Sequence, residues 1–155
     1  MQMMKLFTLV IVIAGIAVAE SKPMTLCDLA EFKGFEGQLI TVKGRILFSM
    51  HGAAFVRDKC KLSQPGIALL YPLDRAAPSV DFQLDSHAVE KLTPYTRSTG
   101  GVAIACATLT GQLAVTKKFR LRQYGGGPQG NGFGSRGTLR LAMVIKSVDQ
   151  IEPCE

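Results

Sequence analysis

Two stretches of this chain share one pattern: apolar residues at every second position, interrupted by a glycine in the middle. In the first, Ile40, Val42, Ile46 and Phe48 have one parity with Gly44, while Thr41, Lys43 and Arg45 have the other. In the second, Ala105, Ala107, Leu109, Leu113 and Val115 share a parity with Gly111. Period-two alternation marks a strand with one face on a core and one in water, the common state of antiparallel sheets. A mid-strand glycine removes a side chain where a coiled strand must bend, and often marks a bulge.

The remaining segments fill in around these two. Ala53 to Arg57 reads as a strand returning after a turn at His51-Gly52, and Gly66 to Tyr71 as a third strand. The last strand spans about Thr138 to Ile151, with Leu139, Leu141, Met143 and Ile145 inward. Its parity then shifts to Val148, which predicts a bulge near Ser147. Thr25-Leu26-Cys27-Asp28 matches a capping box and predicts a helix over about Leu26 to Phe32, ended by Gly34 and Gly37. A second short helix starts at Asp85 or Ser86, carries Leu84, Ala88, Val89 and Leu92 on one stripe, and stops at Pro94. The order is helix, three strands, helix, two strands. That predicts an all-β fold with small helices: a five-stranded OB-like barrel, with an N-terminal helix and a short helix between strands three and four. The main rival is a five- or six-stranded sandwich.

The N-terminus addresses location. Met1 to Lys5 carries one positive charge, Leu6 to Val18 is continuously apolar, and Ala17-Val18-Ala19 is a small-x-small cleavage signal before Glu20. This is the grammar of a secretory signal peptide over residues 1–19, and the run is too short for an ordinary membrane span. The alternative is a retained anchor. No Cys stands at the cleavage point, which argues against a lipoprotein. The expected mature chain, 20–155, is a single domain with no integral span, exported to the periplasm or the cell exterior. Cys27, Cys60, Cys106 and Cys154 all lie within it. In an oxidising compartment an even count reads as two disulfides, and four cysteines allow three pairings.

Charge is unevenly placed. Between Lys91 and Val148 there is no acid, but there are nine bases: Lys91, Arg97, Lys117, Lys118, Arg120, Arg122, Arg136, Arg140 and Lys146. A half of one sign suggests a face that holds anions; the plain alternative is a basic, solvated surface.

The motifs Cys27-x-Leu29, Gly37-Gln38-x-Ile40-x-Val42-x-Gly44, and Val56-x-Asp58 before Cys60 make the chain similar to small secreted bacterial OB-fold-like proteins of unknown function. That group has a Gly-Phe-Gly-His-x-Gly box before the last strand. Here the stretch is Gly132-Phe133-Gly134-Ser135-Arg136-Gly137, and Ser135 stands in the place of the histidine. The resemblance implies that Cys27 pairs with Cys60 and Cys106 with Cys154. It implies no activity.

The richest constellation is Lys117-Lys118-Phe119-Arg120-Leu121-Arg122-Gln123-Tyr124, followed by three glycines. In an OB-like barrel this basic, Gly-rich connection, Lys117 to Gly137, joins strands four and five, where ligands are commonly contacted. Lys117, Lys118, Arg120, Arg122 and Arg136 would track an anionic chain, and Phe119, Tyr124 and Phe133 would stack on rings. The alternative is an extended hairpin whose charge deters edge pairing. Gly132-x-Gly134-x-x-Gly137 spells a dinucleotide fingerprint, but a strand pattern follows it where that fingerprint needs a helix. Asp85, Ser86 and His87 read as cap chemistry. His51 and His87 are far apart, and the cysteine spacing is not that of a zinc site, so no metal or cofactor is expected. The expectation is an exported, non-catalytic binding or interaction module of the cell envelope. Its partner is a polyanion, such as nucleic acid or an anionic polymer, or an envelope protein. A small secreted hydrolase would need converging His with acid or Ser, a pattern the sequence lacks.

Overall fold

A computed structural model describes residues 22–29, 34–56, 66–97 and 101–154. The signal segment 1–19 and Cys60 lie outside the described residues. The elements are β1 (Met24–Thr25), β2 (Leu39–Ser49), β3 (Gly52–Val56), β4 (Gly66–Leu70), α1 (Ser86–Thr96), β5 (Ala103–Val115), β6 (Leu121–Tyr124), β7 (Gly127–Gly130) and β8 (Leu141–Pro153). Five of them close a ring, β2-β3-β4-β8-β5, with β5 returning to β2. Only β4–β8 is parallel within that ring, and β1 adds alongside β2. Closure excludes a sandwich, and a helix between the third and fourth barrel strands completes an OB-like barrel.

The two glycine-bearing strands are direct partners. Ile40 faces Gly111, Val42 faces Leu109 and Gly44 faces Ala107, so each repeat's glycine meets an inward apolar residue of the other. Ile40, Val42, Ile46, Phe48, Ala105, Ala107, Leu109 and Leu113 all enter one core with Phe55, Ile67, Leu69, Leu141, Met143 and Ile145. The glycines serve close approach. A Cβ on Gly44 would sit 3.3 Å from the Phe55 ring. On Gly111 it would lie 2.7 Å from Met143 Cγ and inside the contact radius of the Val144 carbonyl oxygen.

β8 is bulged twice. Opposite β5 the register runs from Thr108↔Gln150 to Leu109↔Val148, and from Thr110↔Ser147 to Gly111↔Ile145, so Asp149 and Lys146 are the extra residues. Ser147 lies between them, as the parity shift predicts. The bulges return Val148 to the core after Ile145. They also turn carbonyls toward α1. The Asp85 N–H donates to Lys146 O at 2.9 Å, and Lys91 Nζ donates to Val148 O at 2.7 Å and Asp149 O at 3.3 Å. Ala88 and Leu92 then close one end of the barrel.

Three expectations are corrected. Leu26 to Leu29 is a turn, not the start of a helix, and residues 30–33 lie outside the described set. Half of the capping box is made: Asp28 Oδ2 accepts from Thr25 N–H at 2.7 Å, while Thr25 Oγ1 donates to the same oxygen at 2.8 Å and the Asp28 N–H goes to Thr25 O. The two bonds that Thr25 donates hold the Asp28 carboxyl below its usual range. Buried Leu26 and Leu29 pin the turn to the core, so i, i+3 apolar spacing here serves one turn only. Pro94 sits inside α1, which runs two residues further and ends with Arg97 N–H on Thr93 O. Leu139 precedes β8 and packs outside the barrel, not inward.

Cys106 and Cys154 form a disulfide with Cα atoms 5.0 Å apart, joining the start of β5 to the end of β8. Cys27 is also disulfide-bonded. No described helix is long and apolar enough to cross a membrane.

Two outcomes follow in urea unfolding. Gly111→Ala destabilises by about 1–3 kcal/mol through overpacking, whereas Gly125→Ala, whose Cβ meets nothing within 4 Å, changes stability by less than about 0.5 kcal/mol. Replacing Cys106 and Cys154 by Ser costs about 2–4 kcal/mol.

Candidate functional site

The connection from Lys117 to Gly137 leaves the barrel as a β-hairpin. Its base is closed by Thr116 N–H on Arg140 O at 2.9 Å. β6 and β7 pair from Leu121↔Gly130 to Tyr124↔Gly127, with Gly125-Gly126 as the two-residue turn and Gly127 at φ 104°. Every residue of β6 is exposed. Asn131 fastens the entry: its Oδ1 accepts from Arg120 N–H at 2.8 Å and its Nδ2 donates to Lys118 O at 3.0 Å.

The glycine box folds into a compact turn that uses its own amides. Gly130 N–H donates to Arg136 O, Gly132 N–H to Gly137 O and Gly137 N–H to Gly134 O, at 2.8 to 3.0 Å. β8 follows, not a helix, so these amides are spent and there is no helix N-terminus to meet a pyrophosphate. Phe133 bridges Leu139 by backbone pairing. With Ala77, the two side chains cover Ala68, Leu70, Ala114 and Ala142 on the outer face of the barrel. This small second core holds the connection against β4 and β8.

The eight candidate contacts therefore separate. Phe133 is spent in packing, and the Phe119 ring lies against Gly132, where a Cβ would come within 2.8 Å of it. The Arg136 Nη1 donates to Gly126 O and holds the hairpin tip to the glycine box. Lys117 Nζ stands 3.7 Å from Glu36 Oε1, with both side chains exposed, an arrangement worth little in water. Lys118, Arg120 and Arg122 are exposed, and their side chains have no ion-pair or hydrogen-bond partner among the described residues. Tyr124 is about half exposed at 48 %. Lys118, Arg120, Arg122 and Tyr124 thus stand exposed, Lys117 faces Glu36, and the two phenylalanines hold the scaffold that presents them.

The Asp85-Ser86-His87 stretch is a helix cap. Asp85 Oδ1 accepts from His87 backbone N–H at 2.9 Å, and the His87 ring stands 3.9 Å from Glu90 on an exposed surface.

A large concavity lies elsewhere, at the barrel end beside the C-terminal part of α1. It is a cleft of about 1080 Å³, with Phe48, Leu69, Leu92 and Ile145 among its lining residues and Tyr71, Tyr95, His51, Arg75 and Ser135 contributing polar groups. Sequence reasoning does not find it, because its walls come from six separated segments. Ser135 connects the two regions: it belongs to the glycine box and reaches the cleft rim. Comparison with family models, with characterised proteins and with solved structures gives no match.

Phe133→Ala is expected to lower stability by about 2 kcal/mol, a discounted value because the ring is only half-buried. It should also speed amide exchange throughout β6 and β7. Lys118→Ala should leave both unchanged.

Proposed function

We propose that this protein is an exported, non-catalytic binding module of the cell envelope that engages an anionic partner through the β6–β7 hairpin. One observation carries the reading: an exposed hairpin held to a rigid barrel presents Lys118, Arg120 and Arg122 without acid partners, beside Lys117 and Tyr124. Unpaired cations at fixed spacing suit a repeating anionic chain, and Tyr124 supplies a face for stacking. Export is supported by the signal-like N-terminus together with the Cys106–Cys154 disulfide, which persists in oxidising compartments. The pairing of Cys27 with Cys60 belongs to the same reading.

Leu121 is 53 % exposed on the same hairpin, which favours a protein partner as the second reading. Apolar contact would be less sensitive to salt.

Titration of the purified protein with single-stranded DNA and with anionic glycans separates these readings. Four phosphate-neutralising cations give a slope of log K against log salt of about −3. Replacing Lys117, Lys118, Arg120 and Arg122 by Ala should abolish binding without shifting the melting temperature. No binding to any polyanion at low salt would eliminate the anionic reading and leave the protein partner.

A further inference from the structure

The end cleft has a divided lining. Its floor lies where α1 closes the barrel core: Phe48, Leu69, Leu92 and Ile145 are buried members of that core. The Phe48 and Tyr95 rings stack with centroids 5.5 Å apart, giving one wall a continuous aromatic face. At the rim Met50 and Val102 are 86 % and 64 % exposed. Such an apolar floor in a cleft of about 1080 Å³ is large enough for a small-molecule ligand.

The polar part of the lining is rich in donors. The side chains of Tyr71, Tyr95, His51, Arg75 and Ser135 make no hydrogen bond or ion pair among the described residues. Asp74 is the one acid lining the cleft, and it is already engaged: its Oδ2 accepts from Tyr71 N–H at 2.7 Å while its own N–H donates to Tyr71 O at 3.0 Å. Burial, and then the Asp74 charge, push the Tyr71 hydroxyl above its ordinary value. The sign is plain: a phenol that gives up its proton even less readily stays a donor throughout the neutral range. Thr96 and Ser49 hydroxyls are spent on Thr93 O and Gly52 O. What is left over is a guanidinium, two phenols, an imidazole and a hydroxyl above an apolar floor.

From this arrangement we infer that the cleft is a second binding site, independent of the hairpin, for a small amphiphile with an apolar body and a carboxylate head. The body lies along the Phe48–Tyr95 stack and covers the Met50 and Val102 side chains at the rim. The head meets Arg75, the only full cation in the lining, with the tyrosine hydroxyls as further donors. A ligand with only apolar surface would leave those donors without acceptors, and one with only polar surface would leave the floor uncovered.

Octanoate and octan-1-ol are the probes, read by calorimetry and by tyrosine fluorescence. The chain has no Trp and three Tyr, so in a Tyr124→Phe background both remaining fluorophores, Tyr71 and Tyr95, line the cleft. Octanoate should bind and change that fluorescence. Arg75→Gln should weaken octanoate about tenfold, the loss of one charge-assisted hydrogen bond, and leave octan-1-ol unchanged. Ala76→Phe, which adds bulk at an exposed lining position, should abolish both. The quadruple Lys117, Lys118, Arg120, Arg122→Ala variant should bind octanoate as before. Absence of octanoate binding at millimolar concentration, binding without a tyrosine response, or binding lost only in the quadruple variant would each overturn the assignment; the first two leave polyanion binding by the hairpin untouched, and the third would move the carboxylate to the hairpin cations.

Discussion

Two bulges in one strand organise this molecule. A straight β8 would keep its carbonyls within the ladder and would put Val148 on the wet face after Ile145. Inserting Lys146 and Asp149 changes both outcomes. The apolar parity is restored, and the carbonyls of Lys146, Val148 and Asp149 become acceptors for the helix that closes the barrel end. Asp149 is itself held, by Thr110 Oγ1 at 3.0 Å and Ser147 Oγ at 3.2 Å. Gly111 is the counterpart on β5, since only a residue without a side chain lets the bent strand pass so close to Met143 and Val144. The Cys106–Cys154 bridge then ties the far end of the same strand pair.

The basic half of the chain is less uniform than its composition. Lys91 is consumed by the β8 bulge and Arg136 by the hairpin tip. Lys146 Nζ lies 5.7 Å from the Phe82 ring centroid. These charges meet carbonyl oxygens and a ring, not carboxylates. On the hairpin, Lys118, Arg120 and Arg122 stand exposed with no carboxylate beside them. A net charge of +6 is therefore a poor guide to the strength of an anion site, and the partnering of each side chain is a better one.

The connection between β5 and β8 has two functions that its sequence mixes together. Aromatic residues interleaved with bases resemble a stacking platform, yet Phe119 and Phe133 lie against Gly132 and the outer alanine face. The alanines at 68, 114 and 142 are small because another layer covers them. That layer keeps the hairpin at a defined place over the barrel, and it carries Ser135 to the rim of the end cleft. Hairpin and cleft are thus mechanically adjacent while differing in chemistry: one is wet, extended and cationic, the other concave and apolar with a rim of donors.

What the sequence determined by itself is what short-range physics encodes. Alternation at Ile40–Phe48 and Ala105–Val115 needs only a period of two, so strands, their inward faces, the bulge near Ser147 and the Asp85 cap are legible residue by residue. The order of elements then favours an OB-like barrel over a sandwich, and closure of β5 onto β2 decides between them. Tertiary structure decided everything that depends on which distant residues meet. Leu26 and Leu29 have the spacing of a helix, but the core they reach accommodates one turn. Leu139 has the parity of an inward residue, but the chain reverses before β8 begins and leaves it outside. Phe133 and Tyr124 are both aromatic and lie near bases, and only the outer alanine face distinguishes the packed ring from the exposed one. The end cleft is the extreme case. Phe48, Tyr71, Arg75, Tyr95 and Ser135 carry no shared signal along the chain, because a concave surface is a property of assembled walls and no local periodicity records it.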